Sequence, residues 1–263
     1  MRKVLIAVFL MVAIALAPAT VGLAVTNGQP DGNGHPYVGV AIQDIPDMPG
    51  YVYVCSGSLV SPKVFVTAAH CFDENLPVYV SFKSGPPLSL KTDFTRGTFH
   101  RSPDWCLGCD GGLPGFDTHD VAVVVLKGHI NLDRYAMLPD AGLVDTLSMK
   151  TNVDIVGYGV QGFVRGGGQP GQVFLWTRYY APSQLIDANF EQSGEYIKLT
   201  ANPSQGTGGT CFGDSGGPDL LGGTDTILAV NSYVTNGNCS GVTYSNRIDL
   251  PYALQFIQGY MKK

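Results

Sequence analysis

The chain has 263 residues and a net charge of −5, with 16 Lys and Arg against 21 Asp and Glu. That length suits one large domain or two small β-barrels, and the mild acidity argues against nucleic acid, whose phosphates call for clustered positive charge. The 34 glycines and 17 prolines disfavour long helices, while a 44% hydrophobic content excludes a disordered chain.

At the N-terminus, Arg2 and Lys3 precede an uncharged run from Val4 to Leu16, and small residues follow in Ala17-Pro18-Ala19 and Gly22-Leu23-Ala24. A basic start, an apolar stretch and small residues at the cut are the marks of a signal peptide, here residues 1–24. A membrane anchor is the competing reading, but Pro18, Thr20 and Gly22 interrupt the stretch before it can span a bilayer. An exported chain can oxidise its cysteines. There are six, Cys55, Cys71, Cys106, Cys109, Cys211 and Cys239, enough for three disulfides whose connectivity the spacing leaves open.

Beyond the leader, short apolar runs alternate with turn residues. Strands are expected at Tyr37–Ile42, Tyr51–Val54, Val64–Ala68, Val78–Phe82 and Val121–Leu126, then at Val153–Tyr158, Gln172–Tyr180, Tyr196–Leu199, Ile227–Ser232 and Gly241–Tyr244. Glycine-rich turns such as Gly166-Gly167-Gly168 separate them, and no alternating helices of a βαβ fold intervene. Only Leu250, Ala253, Leu254, Ile257 and Met261 recur at helical spacing, with Pro251 suited to a first turn. The pattern is all-β, two barrels and one C-terminal helix.

One segment is chemically loaded: Cys211-Phe212-Gly213-Asp214-Ser215-Gly216-Gly217-Pro218. A serine between glycines sits where the backbone can turn sharply and another molecule can come close. Its hydroxyl needs a base, usually a histidine oriented by a carboxylate. His70 closes Val66-Thr67-Ala68-Ala69-His70-Cys71 at a strand end, and Asp120 opens the β-branched run of Val121-Ala122-Val123, an odd place for a solvated charge. A surface turn and a structural histidine are the plain alternatives. Gly213-Asp214-Ser215-Gly216-Gly217 also fits the G-x-S-x-G pattern of α/β-hydrolases. That fold needs its histidine after the serine, and no histidine follows position 129.

Ala68-Ala69-His70-Cys71, Asp120-Val121-Ala122 and Gly213-Asp214-Ser215-Gly216-Gly217-Pro218, in that order, resemble the chymotrypsin/trypsin-like serine endopeptidases. Pro36-Tyr37-Val38, Ser56-Gly57-Ser58-Leu59-Val60, Gly157-Tyr158-Gly159 and the C-terminal helix extend the resemblance over about residues 25–262. It implies two six-stranded antiparallel β-barrels with a C-terminal helix: an N-terminal barrel over about 25–145, a second over about 146–249, and the helix over about 250–262.

The resemblance also assigns roles. Ser215 is the nucleophile, His70 its base, Asp120 the carboxylate that orients it, and the N–H groups of Gly213 and Ser215 the oxyanion hole. Gly209 and Thr210 stand at the floor of the primary specificity pocket, with neither residue acidic. Ser232, Tyr233 and Val234 form the opposite wall, where Val234 is expected to narrow the entrance; Val242 or Thr243 lies on the other side. Implied disulfides are Cys55–Cys71 and Cys211–Cys239, which leaves Cys106–Cys109 as a third, local pair. Zinc and thioredoxin-like redox chemistry are the competing uses of that pair.

Mature members begin with Ile or Val, whose ammonium inserts beside the aspartate preceding the serine. Here the matching residues are Val25 and Asp214, although Thr26 and Asn27 depart from the usual start. Gly22-Leu23-Ala24 fits signal peptidase, so one cut after Ala24 is expected both to export and to activate; the competing cut lies after Ala19. The chain is thus expected to be a secreted, monomeric endopeptidase acting on proteins or peptides, without cofactor or metal and without nucleic acid or membrane partners after cleavage. A catalytically silent homologue that binds a partner is the alternative.

Overall fold

The computed structural model describes residue 25 and residues 27–86, 88–109, 116–160, 162–164, 171–187 and 194–262. The expected leader over 1–24, the turn at 166–168 and the stretch 110–115 lie outside the described residues. Strand β1 (Gln29–Pro30) comes first. Six strands then close the first barrel: β2 (Val38–Asp44), β3 (Val52–Leu59), β4 (Val64–Thr67), β5 (Pro77–Ser81), β6 (Thr95–Arg101) and β7 (Ala122–Leu126), in the order β2-β3-β4-β7-β6-β5. Next come β8 (Asn152–Gly157), a small ribbon of β9 (Gly162–Val164) and β10 (Gly171–Val173), then β11 (Tyr179–Asp187), β12 (Tyr196–Ala201), β13 (Pro218–Leu221), β14 (Ile227–Val234) and β15 (Gly241–Arg247). The second barrel runs β8-β11-β12-β15-β14-β13 and back to β8, with β1 added outside β11. Helix α1 (Pro251–Met261) follows, and Pro251 opens it where a missing N–H costs no helical bond.

Hydrophobic patterning explains most of this. β4 and β7 are mostly β-branched, and Val64, Phe65, Val66, Val123 and Val124 are all buried. α1 turns Ala253, Leu254 and Ile257 inward and lies against β4 and β7.

The expected strands need correction in two respects. Gln172–Tyr180 is not one strand: β10 ends at Val173 and β11 begins at Tyr179. Between them Trp176 takes a left-handed φ of 58°, and Arg178 turns its guanidinium into the protein interior. Four strands went unforeseen, β1, β6, β9 and β13. In β6 the inward positions include Gly97, where a Cβ would lie 2.4 Å from Val124 Cγ1, so the apolar alternation is broken by a residue the packing requires to be small. β13 opens on Pro218 directly after Gly217, a pair that reads as a turn, and buries an aspartate, Asp219.

Candidate active site

Register brings the first two groups together. β4 and β7 are antiparallel with Thr67 opposite Ala122. His70 lies three residues past Thr67 and Asp120 two before Ala122, so both overhang the same end of one ladder. His70 sits in a single 3-10 turn, Ala69–Cys71, tied down by the Cys55–Cys71 disulfide. Asp120 is fully buried. Its carboxylate accepts the His70 backbone N–H at 3.0 Å, His70 Nδ1 at 2.8 Å and the Ser232 hydroxyl. Burial alone would push this carboxyl up, but the imidazole and its hydrogen bonds hold it below the usual range. Burial would likewise lower His70; the Asp120 charge and hydrogen bond outweigh it, aided by Asp117, and the imidazole ends above its ordinary value.

Ser215 arrives from the second barrel. Ser56 on β3 fixes its loop: the Ser56 N–H donates to Ser215 O at 2.8 Å, and Ser56 Oγ donates to Gly213 O at 2.9 Å. Gly216 is there because the approach is so close. It has φ +77°, and a Cβ would stand 2.1 Å from Thr67 Oγ1. His70 and Ser215 line one cavity of about 230 Å³ together with Thr210, Phe212, Ser232, Tyr233 and Val234. Among the described residues no hydrogen bond joins Ser215 Oγ to His70, a contact that in unliganded sites often closes only on substrate. Within the loop, the N–H groups of Asp214, Gly216 and Gly217 donate to Cys211 O, Asn231 O and Asp214 O. Those of Gly213 and Ser215 take no such internal partner among the described residues.

Of the residues expected in the specificity pocket, Thr210, Ser232, Tyr233 and Val234 line this cavity. Gly209 lies packed beside it. A Cβ there would meet Ala201 Cβ at 2.3 Å and Thr243 Cγ2 at 3.3 Å, so only glycine fits. Ser232 has a use not foreseen, its hydroxyl on Asp120. Asn231 and Phe212 also line the cavity and were missed. So was Asp117, beside His70, which its isolated position three residues before Asp120 could have flagged.

Asp214 is fully buried beneath the serine loop. The backbone N–H groups of Gly159 (2.7 Å), Cys211 (2.9 Å) and Val25 converge on its carboxylate. Gly159 must be glycine here, since a Cβ would lie 2.5 Å from that carboxylate. Burial nonetheless pushes Asp214 up to about 7. Val25 is fully buried as well. The Cys211–Cys239 and Cys106–Cys109 disulfides complete the set.

Against known families, residues 27–257 match Trypsin. The cercarial protease of Schistosoma mansoni is 29% identical over 216 residues, covering 75% of this chain and 74% of that relative. Chymotrypsin-like elastase family member 3A of Homo sapiens is 28% identical over 219 residues, with 72% and 71% covered. Among solved structures, HL collagenase superposes with a TM-score of 0.68 at 19% identity, over 90% of this chain and 98% of that one. Human heparin binding protein gives 0.62 at 18% identity, over 90% and 96%. At these identities the two structures speak for the fold alone.

Proposed function

The chain belongs to the Trypsin family, and from that premise we propose that it is a secreted serine endopeptidase that hydrolyses peptide bonds through an acyl-enzyme. The observation that carries this reading is the buried Asp120 carboxylate, which takes both His70 hydrogen bonds and leaves the far side of the ring to the cavity of Ser215. Ser215 Oγ attacks the scissile carbonyl as His70 accepts its proton. Asp120 stays ionised, fixes the tautomer and favours the imidazolium. The N–H groups of Gly213 and Ser215 receive the oxyanion, one such donor being worth about 3 kcal/mol of barrier. His70 returns the proton to the leaving amine, and water then repeats the sequence on the acyl-serine.

The cavity carries no acidic side chain among Thr210, Ser232, Tyr233 and Val234. A buried Lys or Arg side chain there would lack a counter-ion, so cleavage follows uncharged residues, small aliphatic ones above Phe or Tyr. A peptide-library profile dominated by Arg or Lys would refute this. The Val25 N–H at Asp214 supports activation by a cut after Ala24. The freed ammonium would replace that amide and neutralise the buried carboxylate. Its own pKa rises above about 8, the unfolded value. The stabilisation is therefore complete below that value and lost as pH rises through the folded one. N-terminal sequencing of active enzyme checks this: a start other than Val25 overturns it.

The deciding experiment for the activity is labelling with a fluorophosphonate and mapping of the modified peptide. Modification at Ser215, absent in Ser215→Ala, is expected. No labelling of correctly processed protein would favour a silent homologue.

A further inference from the structure

The Trp105-Cys106-Leu107-Gly108-Cys109 motif has no part in the chemistry above. We propose that this disulfide-closed turn sets Asp117 as a second carboxylate against the catalytic imidazole, making Asp117 a positioning residue that works through His70. The proposal rests on the triad reading above.

The geometry comes from three sides. A ring nitrogen of His70 and one carboxylate oxygen each of Asp117 and Asp120 all lie within 4.8 Å of one another. Asp117 is 8% exposed, and its orientation is imposed from the turn. Oδ1 accepts the Gly108 N–H at 2.8 Å, and Oδ2 accepts the Trp105 indole N–H at 3.1 Å. Both donors belong to the turn that Cys106–Cys109 closes, one inside the ring of atoms and one just ahead of it. Cys106 also exchanges both backbone hydrogen bonds with Thr118, at 3.2 and 3.0 Å, next to Asp117 in the chain. From the second barrel, the Tyr196 hydroxyl donates to the Asp117 carbonyl. Arg101 stacks over the Trp105 ring at 4.4 Å.

The charged and titratable groups around the imidazole are Asp120 and Asp117, with Tyr196 behind them. Tyr53, Asp73, Glu74 and Arg101 share with His70 the shallow cavity on its outer side, and Tyr233 lines the Ser215 cavity with it. Arg101 is engaged there by the Phe72 carbonyl and Glu74. Of these, only Asp117 and Asp120 are close carboxylates fixed by hydrogen bonds. Asp120 bonds the ring directly; Asp117 does not, so its effect is through space. It favours the imidazolium, both at rest, where it delays the appearance of the neutral base as pH rises, and in the transition state, where the proton from Ser215 has arrived.

The test is the pH dependence of kcat/KM for Asp117→Asn and for the double variant Cys106→Ser/Cys109→Ser, each in correctly processed enzyme. Asp117→Asn should move the acid limb to lower pH by about one pH unit and lower the plateau about three- to tenfold. The double variant should shift the limb the same way by less, because the turn loosens but the carboxylate remains. An acid limb that does not move in Asp117→Asn overturns the proposal, whatever happens to the plateau. Should Asp117→Asn fail to fold, Asp117→Glu and the double variant carry the test: an unshifted limb in the double variant then counts against it. The His70 proton resonance, titrated in Ser215→Ala with and without Asp117→Asn, reads the same coupling without turnover. Failure of the triad reading would instead show as a parent enzyme that never labels at Ser215, while that titration still reports on Asp117.

Discussion

The two barrels close alike and are filled differently. Among the described residues the strands of the first bury no charge: Val40, Leu59, Phe65, Val66, Phe99 and Val124 are buried beside the neutral Gln43, Ser56, Ser58, Thr67 and Ser81. The second buries Asp214, Asp219, Asn231, Ser245, Asn246 and the pair Arg247–Asp249 among its apolar side chains. Arg247 meets Asp249 through two hydrogen bonds of 2.9 Å. Asp219 has no such partner: burial pushes its carboxyl up to about 8, opposed only in part by the Ser245 hydroxyl. The lesson is a division of labour. A barrel whose strands bury no charge holds the base and its carboxylate at the end of a stiff ladder, while one that buries several charges carries the nucleophile on a loop whose seating depends on them.

The largest expected effect ignores the division, because the reaction joins both halves. Ser215→Ala and His70→Ala, one from each barrel, should each lower kcat by about 10⁴-fold or more. The double variant should be no slower than the worse single one by more than about tenfold. Steady-state kinetics with active-site titration checks this, and additive losses would mean that the two residues do not act as a unit.

Stability then separates the barrels. Phe65→Ala, in the apolar interior, should cost about 3–5 kcal/mol, measured by urea unfolding, and the cost should be the same at pH 5 and pH 8. The second barrel should show a slope with pH instead. Asp214 and Asp219 are held above the ordinary carboxylate value, so the folded state binds their protons more tightly than the unfolded state. That contribution is full below about pH 4 and is lost as pH rises through about 7 and about 8. In uncleaved Ser215→Ala protein, stability should fall by several kcal/mol across this range, and Asp219→Asn should flatten its upper part. An unchanged slope in Asp219→Asn would assign the effect elsewhere. The smallest effect belongs to the seam. Ser56→Ala removes the hydroxyl that donates to Gly213 O and accepts from the Tyr158 N–H at 2.9 Å. About 1–3 kcal/mol should be lost, with a modest fall in kcat, as thermal melts and kinetics would show.

Much of this was legible in the sequence because it depends on local pattern. Val64–Thr67 and Ala122–Leu126 announce strands by β-branching, and the helix at Pro251 by its spacing. The motifs around His70, Asp120 and Ser215 stood out because each breaks the pattern of its surroundings. What escaped depends on contacts distant in the chain. Gly97 is small because Val124 lies across the sheet, and Asp219 is a strand residue although nothing local favours one. Ser232 looks like a pocket residue until the fold delivers Asp120, 112 positions away, to its hydroxyl. Asp117 was passed over because its partners, Gly108 and Trp105, lie in a motif that reads by itself as a redox or metal site.

Arg178 gives the N-terminal segment a fixed length. Its buried guanidinium donates to Asp31 Oδ2 at 2.7 Å, to Gly32 O at 2.8 Å and to Val38 O at 2.9 Å. His35 and Arg178 overcome burial to hold Asp31 at about 2, so this anchor stays charged at any ordinary pH. From Asp31 back to Asp214 the chain is therefore a tether of set reach, and on the activation proposed above it works as a ruler. Only an amine six residues ahead of the anchor, that of Val25, arrives at the carboxylate. A leader trimmed one residue short falls shy of it, and one left long offers an amide where the ammonium belongs. Uneven trimming of this protein would then appear as a mixture of fully working and idle molecules, with no graded loss in between.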